Sequence, residues 1–324
     1  GRPFFRQNVF ISPWITSNDY PPPLIGSDGK PYFRHRTAPT SIEKPSGTFR
    51  IITVGGSTTV NQQSFETAGI DYSLALEQKL TNVLSDISIE VLNAGGMGFS
   101  TAQSLINIQF RLIEFDPDMI ILMHNINDCS VNFFAGGATS DYSNKYLQPY
   151  FLSPSLQGSL SLGGFLTQSR FLTWLKLPGV LADMSGDLDP EADYKKGIPY
   201  FRRNIASIVN ICRENGVRLI LLSQPYSMDA HRFVSTPAFL AYDQIIDDLA
   251  VEYEVDFIDM FSEFGHDDRL FVDEFHYSPE GIERFSSILF ERLKLLIESS
   301  LHGENTKVGT KRMEVALIEE DQDF

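Results

Sequence analysis

Cysteine is nearly missing from this chain. Its two, Cys129 and Cys212, fall just after an expected strand and within an expected helix, so no disulfide framework is implied and the compartment stays open. Basic residues are also short, with 26 Lys and Arg against 42 Asp and Glu and a formal net charge of −16. A nucleic-acid or anionic-membrane partner would need a basic face, which argues against both; a neutral or cationic substrate fits. No apolar run is long enough to span a bilayer. No secretory leader opens the chain either. It begins "GRPFFRQNVF", without Met. We therefore expect an upstream signal or anchor and an extracytoplasmic setting (periplasmic, secreted or membrane-anchored), with a cytoplasmic one as the alternative. Internal repeats are absent too.

What is present is an alternation. Residues 1–47, rich in Pro, Arg and aromatics, read as an irregular N-terminal arm. Beyond them "FRIITV", "ISIEVLN", "DMIILMH", "VRLILLSQP" and "VDFIDM" read as five strands. Helical patterns separate them: Leu76, Leu80, Val83 and Leu84 on one face, then "TAQSLINIQFRLIEF" with Ser100 as N-cap. Further helices cover Phe201 to Cys212, ending at Gly216, and roughly 237–253. The last opens at Ser278-Pro279 and runs to about Ile297. Strands alternating with helices predict an α/β fold: a parallel five-stranded, flavodoxin-like sheet in a three-layer α/β/α sandwich. The domain is expected over 48–298, with a Gly- and Ser-rich insertion at about 129–195 and a flexible acidic tail over 299–324. The insertion reads as a lid or as a plain excursion. Its aromatics form either a substrate wall or the packing of a small subdomain.

In such sheets ligands bind beyond the carboxyl ends of the strands. There the chain carries Gly55-Gly56-Ser57, then "NAGGMGFST" over 93–101, "HNINDC" over 124–129, and "LFVDEFHYSPEG" over 270–281. Taken singly, each is an ordinary turn. Together they supply an acyl-transfer site. A serine hydroxyl needs a base within hydrogen-bond reach, and His276 qualifies. Asp273, three residues earlier, is suited to orient the ring and stabilise the imidazolium. The backbone N–H groups of Ser57 and Gly98 and the side-chain amide of Asn127 are suited to hold an oxyanion. The paired glycines let the chain turn tightly and leave room over Ser57.

These blocks resemble those of the SGNH, or GDSL-type, hydrolases in order and spacing. That family carries Gly-x-Ser, a Gly after the second strand, Gly-x-Asn-Asp, and Asp-x-x-His near the end. The match covers about 48–128 and 200–297. It implies Ser57 as nucleophile, Gly98 and Asn127 as oxyanion donors, and Asp273 and His276 as the remaining pair. This chain departs twice: Gly56 stands where Asp is usual, a variant associated with polysaccharide-linked and membrane-anchored members, and Asn125 stands where Gly is usual. Both Gly56 and Asn125 are therefore expected to border substrate. The resemblance implies a serine esterase needing no cofactor and acting on a small-molecule or polysaccharide ester, foremost an O-acetyl group on carbohydrate. A polysaccharide O-acyltransferase using the same site is the alternative. A non-catalytic carbohydrate-binding or scaffold protein is the alternative of another class, though it has no physical need for the whole set.

The remaining motifs read more simply. His35, in "FRHR", is expected at the surface or in the arm, and His124 in a packing role. His266, Asp267, Asp268 and His276 match no zinc or calcium spacing, so no metal is expected. The Gly-rich turn lacks the lysine of G-x-x-x-x-G-K-[ST] and the spacing of G-x-G-x-x-G, which argues against a nucleotide. Cys129, with no basic neighbour in sequence, reads as a small apolar residue.

Overall fold

A computed structural model describes residues 23–133, 136–142, 191–227 and 236–301. The far part of the arm, most of the insertion and the acidic tail lie outside the described residues. So does the possible docking of "MEVALI".

The arm contains a small antiparallel hairpin of β1 (Leu24–Ile25) and β2 (Pro31–Tyr32). The central sheet holds β3 (Thr48–Gly55), β4 (Ser88–Asn93), β5 (Met119–Met123), β6 (Arg218–Leu222) and β7 (Asp256–Ile258). All its pairings are parallel, in the order β4-β3-β5-β6-β7. The register sets Ile51 between Val91 and Met119, and carries Gly55 level with Met123. Order reverses between β3 and β5, so the crevice beyond those two strands is where a doubly wound sheet takes its ligand.

Helices cover both faces. Strand side chains alternate, so Ile52, Val54, Ile120, Leu122, Leu219 and Leu221 face one side. They meet α6 (Ile198–Glu214), α7 (Thr236–Tyr253) and the segment after α4 (Thr101–Asn107). Ile51, Ile121, Met123, Ile220 and Leu222 face the other side, against α3 (Tyr72–Val83), α8 (Met260–Phe264) and α9 (Pro279–Leu301). On α9, Ile282, Phe285, Leu289, Leu293 and Leu296 recur at helical spacing and are all buried. At roughly 1.5–3 kcal/mol for each fully buried side chain, that face alone fixes the helix.

Several expected boundaries move, and the last helix runs on to Leu301. β6 stops at Leu222 because Gln224 turns its N–H to the Asp243 carboxyl, 3.1 Å away, instead of a neighbouring strand. β7 stops at Ile258 because Asp259 caps α8, accepting from the Ser262 N–H. The expected helix over 101–115 is regular only to Asn107. It then widens through Ile108–Leu112 and tightens through Ile113–Phe115, burying both Ile108 and Leu112. Where the insertion was expected to begin, α5 (Ile126–Cys129) and a 3-10 turn over Ser130–Phe133 continue the core. Asn132 ties the departing chain to the returning one, accepting from the Gly197 N–H at 2.8 Å.

Candidate active site

Ser57 opens the short α1 (Ser57–Val60) directly after β3, so its backbone N–H has no acceptor within that helix. The two glycines before it are required by contact. A Cβ on Gly55 would lie 2.6 Å from the Met123 carbonyl oxygen, and one on Gly56 2.5 Å from the Asn127 amide nitrogen. The strands converge there, and no other residue type fits without displacing a neighbour.

His276 reaches the same place from the opposite end of the chain. Its segment is held by a bridge between Phe271 and Tyr277 and by the Val272 N–H donating to the His276 carbonyl at 2.8 Å. Phe275 and Tyr277 on either side are buried, which leaves His276 half-exposed at the rim. Its Nε2 lies 2.9 Å from Ser57 Oγ. Its Nδ1 lies 2.7 Å from Asp273 Oδ2. A carboxylate only accepts, so Nδ1 carries the proton and Nε2 turns a lone pair to the serine hydroxyl.

Asp273 is itself fixed, accepting from the backbone N–H groups of Phe275 at 2.9 Å and His276 at 2.8 Å. Partial burial pushes its carboxyl up, but the His276 ring and those N–H groups outweigh it and hold it down at about 2. The group is a carboxylate throughout the physiological range. The structure thus brings Ser57, His276 and Asp273 into one hydrogen-bonded chain across 219 residues of sequence.

The second block lies flat against the first. The Gly96 N–H donates to the Gly55 carbonyl at 3.1 Å, and the Asn93 amide donates to the Thr59 carbonyl at 2.8 Å. Gly98 follows in a turn with φ of 68°, a backbone conformation that favours glycine. Asn127 comes from α5, half-buried beside Gly56. Asp128, one residue later, is buried and accepts from the Thr101 N–H at 3.0 Å, joining the third block to the helix that follows the second.

Asn125, expected to border substrate, is instead buried, and its amide donates to the Phe239 carbonyl at 2.9 Å. His35, placed by the sequence in the arm or at the surface, is in the arm but largely shielded. It bonds Asp71 at 2.7 Å and stacks on Phe65. Its neighbour Arg34 donates to the Gly95 carbonyl at 2.6 Å, so the arm braces the turn that leads to Gly98. Sequence reasoning missed that brace, because nothing local links "FRHR" to a turn 61 residues away. His124 is buried against Ser104 and Asp128. His266 donates from Nδ1 to the Tyr226 carbonyl, 3.0 Å away. Cys129 is buried, and burial together with the Asp128 and Asp243 carboxyls pushes its thiol up.

The family model of GDSL-like lipases/acylhydrolases matches residues 53–284, a span that contains Ser57, Gly98, Asn127, Asp273 and His276. No curated protein sequence matches the chain. Among solved structures it is similar to a lipase/acylhydrolase from Enterococcus faecalis, at 14% identity and TM-score 0.48, covering 76% of this chain and 96% of that one. It is also similar to an acetylxylan esterase from Geobacillus stearothermophilus, at 16% identity and TM-score 0.47, covering 80% of this chain and 97% of that one.

Proposed function

The chain belongs to the GDSL-like lipase/acylhydrolase family, and from that premise we propose that it is a serine esterase working through an acyl-enzyme on Ser57. The observation that carries this reading is the continuous contact from Asp273 through His276 to Ser57, at 2.7 and 2.9 Å. Ser57 Oγ attacks the ester carbonyl carbon while its proton passes to His276 Nε2. Negative charge then collects on the former carbonyl oxygen. The N–H groups of Ser57 and Gly98 and the Asn127 amide are the donors suited to hold it. The carbon–oxygen bond to the alcohol breaks, and Nε2–H gives its proton to the leaving oxygen. A water, deprotonated by the same nitrogen, attacks the acyl-enzyme and releases the acid.

The substrate class we infer is an O-acetyl ester on carbohydrate. Support comes from the Gly56 variant of the first block and from a net charge of −16, which disfavours polyanionic esters. An acyltransferase differs only in the acceptor of the second step.

A fluorophosphonate probe tests the nucleophile. It is expected to label the protein once, with the adduct on the peptide holding Ser57, and labelling is expected to be lost in His276→Ala. An adduct on a different residue would overturn the assignment. Acetyl, butyryl and octanoyl p-nitrophenyl esters, followed by an acetylated xylo-oligosaccharide, test the substrate. Fastest turnover of the acetyl esters is expected, and a preference for octanoyl would point to a lipase.

A further inference from the structure

Behind the Asn127 turn lies a buried carboxyl that the chemistry above does not use. Asp243 is fully buried on α7. Its Oδ1 accepts from the Gln224 N–H at 3.1 Å, and the Gln224 side-chain oxygen in turn accepts from the Ile126 N–H at 3.3 Å. One turn earlier on α7, the Phe239 carbonyl accepts from the Asn125 amide. Two routes from one helix therefore end on Asn125 and Ile126, the residues immediately before Asn127. Asp128, immediately after, is tied to Thr101 on the far side.

We propose that Asp243 is a positioning residue for the Asn127 turn, fixing Asn125 and Ile126 so that the Asn127 amide stands beside Gly56. The inference rests on the reading of Asn127 as an oxyanion donor. Among the described residues the buried polar atoms of this wall without a hydrogen-bond partner include Asp243 Oδ2, Asn125 Oδ1, Gln224 Nε2 and Tyr226 Oη. A protonated Asp243 has an O–H to donate to a buried acceptor, whereas an ionised carboxylate has none and leaves its second oxygen unpaired. Burial does favour that proton, pushing the carboxyl up to about 8 against the opposing pull of Asn125 and the Gln224 N–H.

The charged and titratable neighbours agree. Asp259, at the end of β7, raises it further. Cys129 on α5, Tyr226 after β6 and Tyr277 beside His276 are themselves pushed up and stay neutral over the same range. Asn125 stands where Gly-x-Asn-Asp has glycine, so the brace belongs to this chain's own variant of the block.

The test compares wild type, Asp243→Asn and Asp243→Ala on p-nitrophenyl acetate from pH 6 to 10, with the uncatalysed rate subtracted and Ser57→Ala as the control. Asn keeps a neutral donor and an acceptor, so Asp243→Asn is expected to stay within about threefold of wild type at pH 7. Wild-type kcat is expected to fall above about pH 8, and that fall to be absent in Asp243→Asn. Asp243→Ala, checked for a cooperative melt, is expected to lose about tenfold or more in kcat with KM within about twofold. Identical alkaline limbs in wild type and Asp243→Asn would overturn the proposal, and so would a folded Asp243→Ala with wild-type kcat. Either result with an inactive Ser57→Ala leaves the esterase reading standing; an active Ser57→Ala removes that reading and this one with it.

Discussion

The Asn127 amide nitrogen lies 2.5 Å from where a Cβ on Gly56 would sit. The nucleophile turn and the third block are therefore packed with no space for one methyl group, and the backbone carbonyl of Phe99 closes the same spot at 3.2 Å. Three segments distant in sequence meet on one glycine. Gly56→Ala is expected to push the Asn127 amide aside and lower kcat by roughly tenfold to a hundredfold with KM little changed. Steady-state kinetics on an acetyl ester checks it, and a variant with wild-type kcat would show that the amide is not used.

Removing the amide itself gives the larger effect. Asn127→Ala is expected to lose about a hundredfold to a thousandfold in kcat, the scale of one oxyanion donor. Labelling of Ser57 by the fluorophosphonate is expected to slow in parallel while thermal stability barely changes.

Asp128 next to it has the opposite signature. It is buried and accepts from both the backbone N–H and the hydroxyl of Thr101, near His124. Asp128→Ala leaves buried donors unpaired, at about 1–3 kcal/mol each. Denaturant titration is expected to show a loss of stability on that scale, with kcat falling only as a consequence of the loosened turn.

Two carboxyls of the site and its supporting wall contribute to the pH dependence of stability with opposite sign. Asp273 is held at about 2, below its unfolded value of about 3.9, so its contribution is present above about pH 4 and lost as pH falls through 2. Asp243 is raised to about 8, so its contribution is present below about pH 4 and lost as pH rises towards 8. Relative to Asp273→Asn, wild type is expected to weaken on acidification from pH 4 to 2. Relative to Asp243→Asn, it is expected to weaken as pH rises from 4 to 8. Urea unfolding across that range measures both, and a flat difference in either pair would contradict the assignment.

Much of the architecture was legible because the chain repeats its own logic. Five short apolar runs alternate with helical faces, and turn signals such as Gly216 and Ser278-Pro279 sit where the helices change. The positions at the strand ends could be read together because a doubly wound sheet gathers them at one edge, whatever their separation in sequence. Ser57 and His276 meet for that reason.

What could not be read lies one layer behind. Asn125 looked like a border to substrate because it replaces a glycine, yet its amide points to Phe239 on α7, a partner 114 residues away that no local pattern announces. The Arg34 brace on Gly95 joins two segments without shared periodicity. The early ends of β6 and β7 follow from single side chains, Asp243 and Asp259, taking backbone N–H groups, while propensity favours longer strands. Long-range hydrogen bonds decided all of these points but the end of β7, which a local cap on α8 sets, and hydrophobic periodicity carries no record of either.

The most direct test of the account is the rate of p-nitrophenyl acetate hydrolysis by Ser57→Ala against wild type at neutral pH. A loss of about a thousandfold or more, in a protein that melts like wild type, is what a serine nucleophile activated by His276 predicts. Equal rates in the two proteins would contradict it and move the chemistry away from Ser57.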